Sequence, residues 1–227
     1  MSTVDRFPPR VHPPLVAGQR LDQPMFHERY AAMPPGTRAE LVGGVVYLPS
    51  PLSFIHSSPD DALGGWMFHY KRCTPGVRGG PNATVKLGDY GEPQPDRLLF
   101  IPEGRGGLTR LVDGYIVGPP ELVAEVAHTT RSFDLGPKKA DYERAGVLEY
   151  LFVGISHEEI RWFVRREGRF SDLLPGADGL FRSEVFPGLW LDPDALFAED
   201  LNRLIATLEQ GLATPEHAAF VARLAVV

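Results

Sequence analysis

The feature that most restricts this chain is an acidic residue set inside an apolar run. In "ELVAEVA" (121–127), Glu125 follows Leu122-Val123-Ala124 and precedes Val126-Ala127. A continuous apolar run of this length reads as a strand covered on both faces, and an unpaired carboxylate there is costly. The fold must therefore deliver a compensating group to Glu125. Short strand-like runs also occur at "NATVKLG" (82–88) and "QPDRLLFI" (94–101), and Asp96 opens the latter directly after Pro95. If the strands carrying Asp96 and Glu125 are neighbours, their carboxylates converge at one sheet edge and can share a cation. Hard Mg²⁺ or Mn²⁺ suits such oxygen donors and keeps waters for a phosphate and a nucleophile.

The third group follows in "DLGPKKADYERAG" (134–146). This segment reads as a helix with Asp134 as N-cap and Gly146 as stop. Lys138 then lies near the positive end of the helix dipole, where a cation is disfavoured unless an anion faces it. Tyr142, four residues on, shares its helical face and is expected to position it.

The rest of the chain orders as a helix after Asp22, a hairpin around Gly43-Gly44 and a second helix over 54–72. The three strands follow, the last two separated by a Gly-rich loop at 102–114. After the helix at 134–146 come a strand at "VLEYLFVGI", a hairpin turning at Glu167-Gly168, a strand near 180–191, and helices over 193–210 and 214–225. This order implies an α/β fold: a mixed central sheet flanked by helices, with an N-terminal hairpin and C-terminal helices. Residues 1–20, with four prolines, read as an irregular arm. Residues 21–227 read as one domain with a helical extension.

Net charge is −6, which disfavours tight nonspecific binding of nucleic acid through a basic face. The one cysteine, Cys73, excludes an internal disulfide framework and a cysteine-cluster zinc site. With neither a signal-peptide pattern nor an apolar run long enough to span a membrane, a cytoplasmic protein is expected.

Several motifs taken in order carry a resemblance. Pro95-Asp96 comes first. Glu125-Val126-Ala127 then leads through Thr129-Thr130 and Asp134 to Lys138 and Tyr142, and Ala145-Gly146-Val147 leads to Glu149-Tyr150. Together they resemble the Uma family of bacterial restriction-endonuclease-like proteins, within the PD-(D/E)XK nuclease superfamily. The likeness extends upstream to "ELVGGVVYLPSP" with His56 and downstream to "VFPGLWLDPDALF", about residues 22 to 200.

The resemblance implies a restriction-endonuclease-like fold and Mg²⁺- or Mn²⁺-dependent hydrolysis of phosphodiester bonds, with DNA the expected substrate and a homodimer the expected assembly. Asp96 and Glu125 would be the metal ligands. Lys138 would be an active-site lysine displaced onto the helix, since the superfamily's usual position is here Ala127. Glu40 would add an outer carboxylate, and His56 would lie near the cleft. Thr129-Thr130 and Leu151 depart from the family's usual serines and tryptophan without removing a ligand. Two other readings keep the same residues: a catalytically silent nucleic-acid-binding or assembly module, and a phosphoesterase acting on something other than duplex DNA.

The remaining candidates are weaker. Arg161, Arg165, Arg166 and Arg169 read as an exposed hairpin with solvated charges, or alternatively as a DNA-contacting or dimer edge. Gly104-Arg105-Gly106-Gly107 lacks the strand, lysine and hydroxyl context of a phosphate-binding loop.

Overall fold

The structure of the chain is a computed structural model that describes residues 13–48 and 57–226. The first helix, α1 (Gln23–Ala31), begins where Asp22 accepts a hydrogen bond from the Met25 amide at 2.9 Å, with Pro24 in its first turn. Strands β1 (Glu40–Val42) and β2 (Val45–Tyr47) form the expected hairpin. Gly43 and Gly44 both take positive φ, 57° and 77°, which the two-residue turn requires. Helix α2 (Ser57–Cys73) follows.

Three strands come before the Gly-rich segment: β3 (Arg78–Pro81), β4 (Val85–Lys86) and β5 (Arg97–Phe100). The loop expected at 102–114 contains a 3-10 turn (Glu103–Arg105) and then a strand, β6 (Arg110–Val112). Strands β7 (Tyr115–Val117) and β8 (Leu122–Ala127) follow.

The central sheet adds β9 (Glu149–Gly154), β10 (Glu159–Arg166) and β11 (Arg169–Leu173), and runs β11-β10-β9-β8-β5-β3. Only the β8–β9 pairing is parallel, so the sheet is mixed as expected. A second, three-stranded sheet runs β4-β7-β6.

Both faces of β8 are covered, which explains its apolar composition. Leu122 and Ala124 join Trp66, Tyr70, Phe186, Leu204 and Phe220 in one core against α2 and the C-terminal helices. Val123 and Ala127 face the other way, into a core with Leu98, Ile116, Tyr142 and Tyr150. Glu125 falls on this second face by the two-residue period of a strand.

The helical segment after β8 departs from expectation. It starts at Arg131, with α3 (Arg131–Phe133), so Asp134 is not its N-cap. A π-helical turn then spans Asp134–Lys138 and leads into α4 (Lys139–Ala145), which ends at Gly146 with φ 95°. Pro137 has no N–H to donate and disfavours a helical residue before it, and Gly136 accordingly leaves the helical region at φ −108°, ψ −105°.

Towards the C-terminus, the strand expected near 180–191 is a pair of two-residue strands, β12 (Phe181–Arg182) and β13 (Trp190–Leu191). The helix expected over 193–210 is two, α5 (Pro193–Phe197) and α6 (Leu201–Leu212), because Asp200 caps a new start by accepting from the Arg203 amide at 3.0 Å. Helix α7 (Pro215–Ala225) closes the described chain. Among the described residues no helix is long and apolar enough to cross a membrane.

Candidate functional site

Glu125 is 3% exposed, and its compensation is local. Its Oε1 lies 2.8 Å from Lys138 Nζ and accepts a hydrogen bond from the Tyr142 hydroxyl at 2.7 Å. Lys138, 5% exposed, also reaches Glu40 Oε1 at 3.2 Å. That same Glu40 oxygen accepts from the Gln94 amide at 2.6 Å, which fixes the N-terminal hairpin over the sheet.

Asp96 stands beside Glu125. Strands β5 and β8 pair Arg97 with Ala124, so continuing the register one residue sets Asp96 opposite Glu125. Its Oδ2 accepts from the Val126 amide at 2.8 Å. Four segments of the chain thus bring Glu40, Asp96, Glu125 and Lys138 to one end of the central sheet.

Tyr142 differs from its expected part, since its hydroxyl holds Glu125 and not Lys138. Lys138 also differs from its expected setting. It ends the π-helical turn, well inside the helical segment and not at a helix start, while carboxylates do face it. His56 lies outside the described residues. Arg131, six residues after Glu125, pairs with Glu159 at 2.7 Å.

The sequence reading missed Asp134 as a member of the cluster. Its carboxylate is buried, and its charge acts on both Glu125 and Lys138. The signal was present: Asp134 and Lys138 are four residues apart, a spacing that sets two side chains on one helical face.

The electrostatics follow from this crowding. Burial alone would push the Lys138 ammonium down, but Glu125, Glu40 and Asp134 outweigh it and hold its pKa above the ordinary lysine value. Burial drives the Glu125 carboxyl well up; Lys138 opposes this, while Asp96, Asp134 and Glu40 add to it. Burial and then Glu125 raise the Tyr142 hydroxyl, so it remains a donor. Four carboxylates around one ammonium leave the cluster with excess negative charge, which either a proton or a cation can relieve.

The donor chemistry fits a hard divalent cation. The contacts of Glu125 and Asp96 use Oε1 and Oδ2, and the second oxygen of each carboxylate supplies a hard donor. No group of three or more His, Cys, Asp or Glu residues among those described is placed to hold a metal. Two such carboxylates are enough for a hard cation that keeps most of its waters, as Mg²⁺ does.

The basic groups singled out in the sequence are already engaged. On the β10–β11 hairpin, Arg161 pairs with Asp172 at 2.7 Å, Arg169 with Glu143 at 3.2 Å, and Arg166 with Glu184. Arg105 in the Gly-rich segment donates to the Leu224 carbonyl of α7.

A mixed sheet flanked by helices, with acidic groups from two adjacent strands and a lysine converging at one end, defines a restriction-endonuclease-like α/β protein. Residues 25–194 match the family described as "Uma2: Putative restriction endonuclease", and the chain belongs to that family. Among solved structures it is similar to one described as "a putative nuclease belonging to DUF820" from Anabaena variabilis. The two are 16% identical with a TM-score of 0.55, over 75% of this chain and 96% of that one. At that identity the likeness concerns the fold. A search of curated proteins finds no match.

Proposed function

We propose that the chain is a divalent-metal-dependent endonuclease that hydrolyses phosphodiester bonds of nucleic acid, with DNA as substrate. The observation that carries this reading is the buried Glu125–Lys138 pair at 2.8 Å, with Asp96 bonded to the very next backbone amide. Family membership and the nuclease fold of the structural neighbour support it.

Asp96 and Glu125 would hold Mg²⁺ or Mn²⁺, which when bound polarises the scissile phosphate and lowers the pKa of a coordinated water. The protein's own groups prepare that chemistry. The Val126 amide fixes the Asp96 carboxylate, and the Tyr142 hydroxyl and Lys138 fix that of Glu125. The carboxylates around Lys138 favour its protonated form, which suits it as a donor. Its role is to donate hydrogen bonds to charge developing on the phosphoryl oxygens. Glu40 steadies the ammonium from the other side.

The test is nicking of supercoiled plasmid with Mg²⁺ or Mn²⁺ by wild type, Asp96→Asn, Glu125→Gln and Lys138→Met. Each substitution is expected to lower the rate by at least about 100-fold. Asp96→Asn is the most telling, because the amide oxygen can still accept from Val126 and the fold should survive. Equal nicking by all four proteins, or no uptake of either metal by calorimetry, would overturn the proposal. DNA binding without cleavage, indifferent to the substitutions, would favour the silent module.

A further inference from the structure

The cations near the acidic cluster are mostly matched by an opposite charge. Lys138 faces Glu125 and Glu40, and the Arg97 guanidinium holds Asp60 of α2 through bonds of 2.8 and 2.9 Å. Arg38 is different. Its Nη2 donates to the Asn82 side-chain oxygen at 2.8 Å, a neutral partner, and no carboxylate pairs with it among the described residues.

Two independent constraints bring Arg38 to the acidic end of the central sheet. The first is register. Strands β3 and β5 pair Pro81 with Arg97, so the next step sets Asn82 opposite Asp96, just as Asp96 is set opposite Glu125 on its other side. The Asn82 amide donates to the Pro95 and Asp96 carbonyls at 3.1 and 3.2 Å. It does so at φ 49°, which asparagine tolerates better than most residues. The second constraint is the alternation of the chain entering β1. Ala39 and Leu41 pack in a core with Phe26 and Val46, which leaves Arg38 and Glu40 together on the opposite side. From there Glu40 reaches Lys138, and Arg38 reaches Asn82.

Asn82, Asp96 and Glu125 thus form a row across three adjacent strands. Neighbouring strands lie about 4.8 Å apart, so Asn82 stands about 5 Å beyond Asp96 and about 10 Å from Glu125. A phosphate held at the two acids has its neighbour along the same nucleic-acid strand within reach of a guanidinium placed there. The chemistry suits that contact. A guanidinium offers a planar fork of donors to phosphate oxygens, and the bond to Asn82 engages only one arm of it. With a net charge of −6 the chain offers a polyanion little general attraction, so a cation left unneutralised beside the acids acts where the whole-molecule field does not help.

We infer that Arg38 is a substrate-binding residue that clamps the backbone phosphate next to the scissile one. The nucleic-acid strand then crosses the sheet end from β8 over β5 to β3, and Asn82 positions the clamp. The inference rests on the nuclease reading for which phosphate is scissile, but the contact itself is read by binding, without cleavage.

The test is fluorescence anisotropy of a short fluorescein-labelled DNA duplex titrated with the full chain at several salt concentrations. Ca²⁺ replaces Mg²⁺ so that no bond is cut. Arg38→Gln should bind about tenfold or more weakly than wild type and lower the slope of log affinity against log salt by about one. Arg38→Lys keeps the charge but not the fork, so it should lose affinity and retain the wild-type slope. A purely structural role would move the melting temperature and leave the slope alone. An unchanged slope in Arg38→Gln therefore overturns the inference, as does a wild type that does not bind the duplex. If Arg38→Gln fails to fold, Asn82→Asp decides: a carboxylate there pairs with the guanidinium in place and should lower the slope equally, and a wild-type slope sinks the proposal. Plasmid nicking by wild type, with binding indifferent to Arg38, leaves the nuclease reading standing alone. Arg38-dependent binding by a chain that does not nick does the reverse.

Discussion

At the residue scale, the Glu125–Lys138 pair explains why an acid can sit inside β8. Removing one member of a buried pair strands the other, at a cost of about 3–5 kcal/mol, while replacing both by neutral groups costs much less. Lys138→Met should therefore be strongly destabilising in chemical denaturation, since Glu125, Glu40 and Asp134 lose their only cation within the cluster. Adding Glu125→Gln to it should recover part of the loss. Strictly additive effects would mean that the pair is not coupled as drawn. Tyr142→Phe addresses a neighbouring contact: it deletes the 2.7 Å bond to Glu125 with little change of shape. A lost hydrogen bond to a charged group is worth about 1.5–3 kcal/mol, so nicking should slow by about tenfold or more. A Tyr142→Phe protein as active as wild type would show that the hydroxyl does not orient the acid.

At the element scale, the π-helical turn over Asp134–Lys138 is the device that aims Lys138. A π-turn inserts one residue into the helical register, and one residue is about 100° of rotation about the axis. Pro137→Ala restores a backbone donor and permits an ordinary helix, so it should reduce nicking while leaving the melting temperature equal or higher. Cleavage unchanged by that substitution would separate the turn from the aim of the lysine.

This turn also marks where sequence reasoning reached its limit. The Asp22 cap, the Gly43-Gly44 hairpin, the Gly146 stop and the acid in β8 were legible because each rests on a local rule. Lys138 was legible as a site residue through the family's motif order, but the dipole argument for it fails because the segment begins at Arg131. Strand β3, "RGGP", has almost no intrinsic strand preference and exists because β5 pairs with it. The approach of Glu40 to Lys138 joins residues 98 positions apart in sequence, and no local pattern encodes it.

At the scale of the whole molecule, the chain buries carboxylates outside the proposed site as well, and these make its stability depend on pH. Glu149, at the start of β9, accepts hydrogen bonds from the Ser183 hydroxyl at 2.7 Å and from the Glu184 and Val185 amides at 2.7 and 3.1 Å. It thereby fastens the central sheet to the turn that carries Phe186 into the main core. Burial pushes its carboxyl up to about 7, from an ordinary 4.5, with those three hydrogen bonds resisting. The folded state therefore holds this proton more tightly than the unfolded state. Its contribution is fully present below pH 4.5 and is lost as pH rises through about 7. At 1.36 kcal/mol per unit, the difference amounts to about 3 kcal/mol across that window. Glu121 and Asp141, both raised by burial, act in the same direction. Glu149→Gln keeps an oxygen for the two amides and an NH₂ that the Ser183 oxygen can accept, but it carries no titrating proton. Denaturant unfolding at pH 5 and pH 8 should show wild type losing stability with rising pH, and Glu149→Gln losing less. Equal losses in the two proteins would mean that Glu149 is already ionised in the fold at pH 5, held so by the three donors that surround it.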